Sequence, residues 1–146
     1  MKYRILTALA FALIVGAQPS LGFAGEKLTL YKNPMCTCCE SYAKYMRDYG
    51  FDVTVVPTPD LVTFSEEHGI PASMSACHVS LVGGYAIGGH VPVDVVKRLL
   101  AEKPPLKAIT VTGMPTGVPG MPGPKTGPLT IYAISPDGKS SIYATE

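Results

Sequence analysis

Apolar and polar residues alternate over Leu28-Thr-Leu-Tyr31, the pattern of a short strand, and Asn33-Pro34 interrupts it. Beyond Glu40 the period changes. Tyr42, Tyr45, Met46 and Tyr49 recur at helical spacing on one face, and Gly50 is the natural C-terminal stop of that helix. Phe51-Asp-Val-Thr-Val-Val56 returns to a strand pattern. Thr58-Pro59 then offers an N-cap followed by proline at the first helical position, which predicts a short helix to about His68, closed by Gly69. Cys77-His-Val-Ser-Leu-Val82 and Tyr85-Ala-Ile87 flank Gly83-Gly84, a strong hairpin signal. Pro92 can open a third helix with Val95, Val96, Leu99 and Leu100 on one face, ended by Pro104-Pro105. Residues 112–128 are dominated by glycine and proline and predict irregular backbone. A closing hairpin is expected from residues 129–134 and 140–144, joined through Ser-Pro-Asp-Gly-Lys139.

The first residues stand apart from this pattern. Lys2 and Arg4 give a basic start, and residues 5–15 are apolar apart from Thr7, a run shorter than the about 20 residues that span a bilayer. Gly22-Phe23-Ala24 supplies small residues at the two positions a signal peptidase reads, so residues 1–24 are expected to be a signal peptide and residues 25–146 one exported domain. Without Lys2 and Arg4, ten basic residues face eleven acidic ones. A nearly neutral chain with no basic block is a poor partner for nucleic acid. No second long apolar stretch follows, so no membrane association is expected once the leader is removed.

Chemistry concentrates in Tyr31-Lys-Asn-Pro-Met-Cys-Thr-Cys-Cys39, where a strand hands over to a helix. Residues three apart on a first helical turn have Cα atoms about 5 Å apart, within reach of a disulfide, whereas adjacent residues fall short at about 3.8 Å. A local disulfide is therefore Cys36 with Cys39, the pair that would carry redox catalysis. Thiolates at a helix N-terminus are stabilised by unpaired N–H groups, which favours both metal ligation and thiol exchange. Cys38 separates the two uses: a two-cysteine redox cycle does not need it, while a thiolate-bridged metal site can use it. With Cys77 added, the donor set is sulfur-rich and suits Cu(I); His90, Met114 and Met121 are further candidate ligands, and several bridged ions fit the number of donors. Four thiolates also match one zinc ion, although the paired knuckles of structural zinc sites are missing.

Plainer readings stand beside these. Four cysteines in an exported chain commonly form two structural disulfides, giving a disulfide-stabilised binding module. Cys77 can serve as a small buried hydrophobe, and His68 as a last-turn residue favourable to the helix dipole. His78 alternates with Val79 and is expected to face solvent. Met46 belongs to the helix stripe and to the core, Met35 to packing, and Met114 and Met121 can pin the loop rather than bind an ion.

The order strand, cysteine turn at a helix start, strand, helix, hairpin, helix resembles the thioredoxin and glutaredoxin fold, and Val82-Gly-Gly-Tyr-Ala-Ile-Gly-Gly89 is similar to the glutaredoxin stretch before the last helix. That fold normally places a cis-proline just before its third strand, where this chain has Cys77-His78. The cysteine run, Ser75-Ala-Cys-His78, Gly83-Gly-Tyr-Ala-Ile-Gly-Gly-His-Val-Pro92 and Gly113-Met-Pro-Thr-Gly-Val-Pro-Gly-Met121 together resemble the small periplasmic CopG-type copper-resistance proteins, long described as a domain of unknown function. The resemblance implies an α/β, thioredoxin-like (β-α-β-α-β-β-α) copper protein of the bacterial periplasm. It carries Cys36, Cys38, Cys39 and Cys77 over as ligands, and His90, Met114 and Met121 less directly. Copper ions and other periplasmic copper-handling proteins are the expected partners, and because thiolate ligands can cycle copper between Cu(I) and Cu(II), a copper oxidoreductase role is consistent with the same residues. A metal-free thiol-disulfide oxidoreductase is the alternative.

Overall fold

The computed structural model describes residues 25–146, so the expected signal peptide lies outside the described residues. Along the chain run β1 (Glu26–Lys32), α1 (Cys38–Asp48), β2 (Phe51–Pro57), α2 (Leu61–Glu67), β3 (His78–Val82), β4 (Tyr85–Gly88), α3 (Val93–Glu102), β5 (Ala108–Val111), β6 (Thr130–Ile134) and β7 (Ser140–Thr145). A 3-10 turn at Ala72–Met74 precedes β3. The strands form one sheet in the order β2-β1-β3-β4-β5-β6-β7. β1 and β2 are parallel across α1, β3 is antiparallel to both β1 and β4, and this first part has the expected thioredoxin-like order.

Alternation along the strands sends side chains to two different cores. Leu28 and Leu30 of β1, Val82 of β3 and Ile109 of β5 pack with Tyr42 and Met46 of α1 and Val96 and Leu99 of α3. Val79, Ala86 and Ala108 turn the other way and pack with Leu61 of α2, Ile70 and Ile134. Each fully buried Leu or Ile contributes about 1.5–3 kcal/mol relative to an exposed one, so the two layers together fix the strand register. α1 ends where the pattern predicts: Tyr49 is its cap and Gly50 takes a φ of 96°. The Gly83-Gly84 turn has positive φ at both positions, as a two-residue hairpin of this twist requires.

Three expectations need correction. α2 is capped by Asp60, whose carboxylate accepts from the Thr63 N–H at 3.2 Å; Thr58 instead donates its own N–H to the Lys32 carbonyl at 2.8 Å, extending the β1–β2 edge. β5 was not expected: its four residues pair parallel to β4 with α3 as the crossover, and the closing hairpin β6–β7 then continues the same sheet. His78 does not face solvent. It is fully buried, because the central strand β3 is covered on both sides.

Candidate metal centre

Backbone pairing brings the four cysteines together. In the β1–β3 ladder Lys32 is opposite His78, and the next residue, Asn33, donates its N–H to the Cys77 carbonyl at 3.1 Å, so Cys77 lies beside the turn that starts α1. That turn is held from both ends. The Asn33 side-chain oxygen accepts the Met35 N–H at 2.9 Å and its carbonyl accepts the Cys36 N–H at 3.0 Å. Lys32 is almost fully buried; its ammonium donates to the Cys36 carbonyl at 2.9 Å and pairs with Glu40 at 3.1 Å. The strand pattern gave Lys32 no role, although a charged residue directly before a cysteine turn is the available signal.

Cys36 and Cys39 form the disulfide that their spacing allows, with Cα atoms 5.7 Å apart. Cys38 and Cys77 are free thiols. The Cys38 sulfur is 3.3 Å from that of Cys36 and 3.9 Å from that of Cys77, and the Cys77 sulfur is 3.5 Å from that of Cys39. All four lie within 4.8 Å of one another. Burial pushes the Cys77 thiol up to about 11, and the neighbouring Cys38 sulfur adds to the effect. Cys77 is thus a neutral thiol near pH 7, and a cation taken up there must displace its proton.

Behind Cys77 sit two buried imidazoles. His90 donates from Nδ1 to the Pro119 carbonyl at 2.6 Å in the tautomer that satisfies this bond, which leaves Nε2 with the lone pair. The Nε2 atoms of both His78 and His90 are buried without a hydrogen-bond partner among the described residues. An orphaned buried polar atom of this kind costs about 1–3 kcal/mol. The rings meet edge to face with centroids 4.9 Å apart, and Tyr42 packs against both, at 4.7 Å from His78 and 5.3 Å from His90. Burial, followed by the proximity of His90, lowers the His78 pKa to about 3, and burial lowers that of His90 as well, so both rings are neutral near pH 7. His68 is remote from this group: it caps α2 and stacks on Phe64 with ring centroids 4.1 Å apart.

The glycine- and proline-rich stretch after β5 forms a strap over the site. Met114 lies on its outer side, half exposed, with its sulfur 3.7 Å from Cys38 and 3.6 Å from Cys77. Val118 is buried in the core and Met121 packs against it, so the thioether that reaches the cysteines is that of Met114. Gly120 has a φ of 78°, and a Cβ there would come within 2.8 Å of the Tyr42 backbone nitrogen. Only glycine lets the strap approach α1 so closely. Met35, expected to pack, is 87% exposed at the lip of the depression that Cys36, Cys38, Cys77 and Met114 line.

Residues 74–121 match a family described as protein of unknown function, DUF411. The matched segment includes Cys77, His78, His90, Met114 and Met121 and stops short of the cysteine turn at residues 36–39. Two solved structures, both of copper resistance protein copG in forms 1 and 2, are similar to this chain. Each is 28% identical, with a TM-score of 0.77, and the similarity covers 84% of this chain and 98% of the other. The mixed sheet with three helices is therefore a CopG-like fold, in agreement with the thioredoxin-like expectation. No curated protein matches the sequence.

Proposed function

We propose that this chain is a periplasmic copper-binding protein of a metal-resistance system, holding Cu(I) through Cys36, Cys38, Cys39 and Cys77, with Met114 as an outer thioether donor. The observation that carries the reading is the convergence of four cysteine sulfurs within 4.8 Å of one another, met by a methionine sulfur on the open side. Thiolate and thioether donors select Cu(I), whereas structural zinc sites use no thioether. The similarity to a protein described as copper resistance protein copG supports copper as the metal. Export to the periplasm rests on the leader-like residues 1–24, and the partners of the reading are copper ions and other copper-handling proteins of that compartment.

The Cys36–Cys39 disulfide adds a redox element. Two electrons and two protons convert it to two thiols and raise the available donors from two free cysteines to four. Copper capacity is then tied to the redox state of one bond, and cycling between Cu(I) and Cu(II) belongs to the same reading. Metal-free thiol-disulfide exchange is the second reading, favoured by the Cys38 thiol lying 3.3 Å from Cys36. His90 enters the proposal as a lesser ligand through its free Nε2, whereas Met121, packed against the core, is the weakest of the candidates.

Elemental analysis decides between them. The reduced protein, freed of residues 1–24, is loaded with Cu(I) without oxygen and desalted against a competing chelator. Retention of two or more coppers per protein supports a thiolate-bridged site, and one supports a carrier site. A ratio near zero overturns the copper reading and leaves thiol-disulfide exchange in first place.

A further inference from the structure

We propose that His78 and His90, together with the Cys77 sulfur, form a second cation position behind the four-cysteine group, a mixed nitrogen and sulfur site for a copper or zinc ion. The inference rests on the metal reading of the cysteines, because Cys77 is shared between the two positions. Cys77 and one ring nitrogen from each histidine lie within 4.8 Å of one another, and the group is separate from the four sulfurs except at that residue.

Three observations carry it. The first is a pair of unpaired nitrogens on two rings that touch, one of which also brings its Nδ1 to 3.9 Å from the Cys77 sulfur. More than nine in ten buried polar groups in folded proteins have a hydrogen-bond partner, yet His78 and His90 are both fully buried and each has an Nε2 without one. Tyr42 contacts both rings but satisfies neither, since its hydroxyl donates to the Val91 carbonyl at 2.8 Å. The second is the His90–Pro119 bond. Donation from Nδ1 to a backbone carbonyl is the arrangement that orients a metal-binding imidazole and leaves Nε2 as the donor. The third is access. The imidazoles have no exposed surface, whereas Cys77 is half-buried and borders the open depression that also contains Cys38 and Met114, so an ion reaches the histidines by way of Cys77.

Donor chemistry separates the two positions. Four cysteines and a thioether favour Cu(I), while two neutral imidazoles and one thiolate form a harder, borderline set that accepts zinc or either oxidation state of copper. A thiolate has lone pairs enough to touch ions on both sides, so occupation of one position need not exclude the other.

The test uses the reduced protein freed of residues 1–24 and has two arms. In the first, copper X-ray absorption is recorded on the wild type and on His78→Phe after anaerobic Cu(I) loading. The expected result is imidazole nitrogen scattering beside the sulfur shell in the wild type, and one copper fewer per protein with less nitrogen scattering in the variant. A sulfur-only shell, with copper content unchanged in His78→Phe, overturns the proposal while leaving the cysteine reading intact. In the second arm, Zn(II) is added to the wild type and the histidine ring nitrogens are followed by long-range proton–nitrogen NMR. Shifts of His90 Nε2 and a His78 ring nitrogen by the second added equivalent, the four thiolates being able to take the first, support the site even if Cu(I) is not retained. Unmoved histidine signals with two equivalents of zinc added overturn it, and this arm holds whether or not the variant folds.

Discussion

The cysteines are held by strands and a helix, whereas Met114 and the Pro119 carbonyl are held by eighteen-odd residues of strap without regular structure, and the two parts depend on different things. In the frame, position follows from register: moving β3 by one residue against β1 would carry Cys77 away from the α1 turn and invert both cores. In the strap, position follows from a few point contacts, chiefly His90 to Pro119, Val118 in the core and Gly120 against α1. A frame of this kind resists small changes and then fails as a whole. A strap of this kind gives way locally, one contact at a time.

The frame is most sensitive at its own ligands. Cys77→Ser is expected to reduce Cu(I) retention by more than the about 10–100-fold that loss of a merely supporting contact costs a metal site, with the circular dichroism spectrum unchanged. Cys38→Ser should follow it, and retention equal to wild type in either variant would count against the copper reading. Next in size is a core truncation. Leu99→Ala is expected to cost about 2–5 kcal/mol in chemical denaturation, yet leave copper per folded molecule unaltered, since Leu99 supplies no donor atom.

Smaller effects belong to the strap and the histidines. Gly120→Ala must place a side chain in a left-handed conformation, at about 1–2 kcal/mol, and also against the Tyr42 backbone. The expected outcome is a lowered melting temperature together with a changed His90 ring signal, because Pro119 moves with Gly120; a melting change without the His90 change would show that the strap is not anchored there. Acid should act on the metal-free protein through the same histidines. Their folded-state pKa values lie below the about 6.5 of an unfolded imidazole, so their contribution is fully present above that pH and is lost as pH falls, for His78 down to about 3. Melting temperatures recorded from pH 7.5 to 5 should fall, and fall less steeply in His78→Phe; equal slopes would contradict the assignment. The smallest expected effect is that of Met114→Leu, a near volume-conserving change at a half-exposed position, which should leave stability unchanged and weaken copper retention only a few-fold. A loss as large as that of Cys77→Ser would erase the distinction between frame and strap.

What could be read from the residues follows the same division. The tyrosine stripe of α1, the Gly83-Gly84 hairpin and the Cys36–Cys39 pairing depend on neighbours in sequence, and each is where its pattern predicted. The signals that misled are those that depend on what lies across space. β5 is four residues long and buried at every one, so its alternation carries no sign of which face is wet. His78 was assigned to solvent by the same reasoning, which assumes a sheet with one open face; α1, α3 and α2 cover both. Asp60 was missed because its partner is a backbone N–H, which sequence patterns do not name, and Lys32 because the Cys36 carbonyl and Glu40 meet it only once the turn has folded.

One consequence concerns the length of the strap. Adding a residue beside Gly127, where a side chain would meet nothing within 4 Å, only lengthens an exposed span, and the entropy of closing a loop grows with the logarithm of its length. Adding one between Pro119 and Gly120 would force either the His90 partner or the glycine contact with α1 out of place. Insertions and deletions among proteins of this architecture should therefore gather on the side of the strap that leads into β6 and spare the four residues from Val118 to Met121.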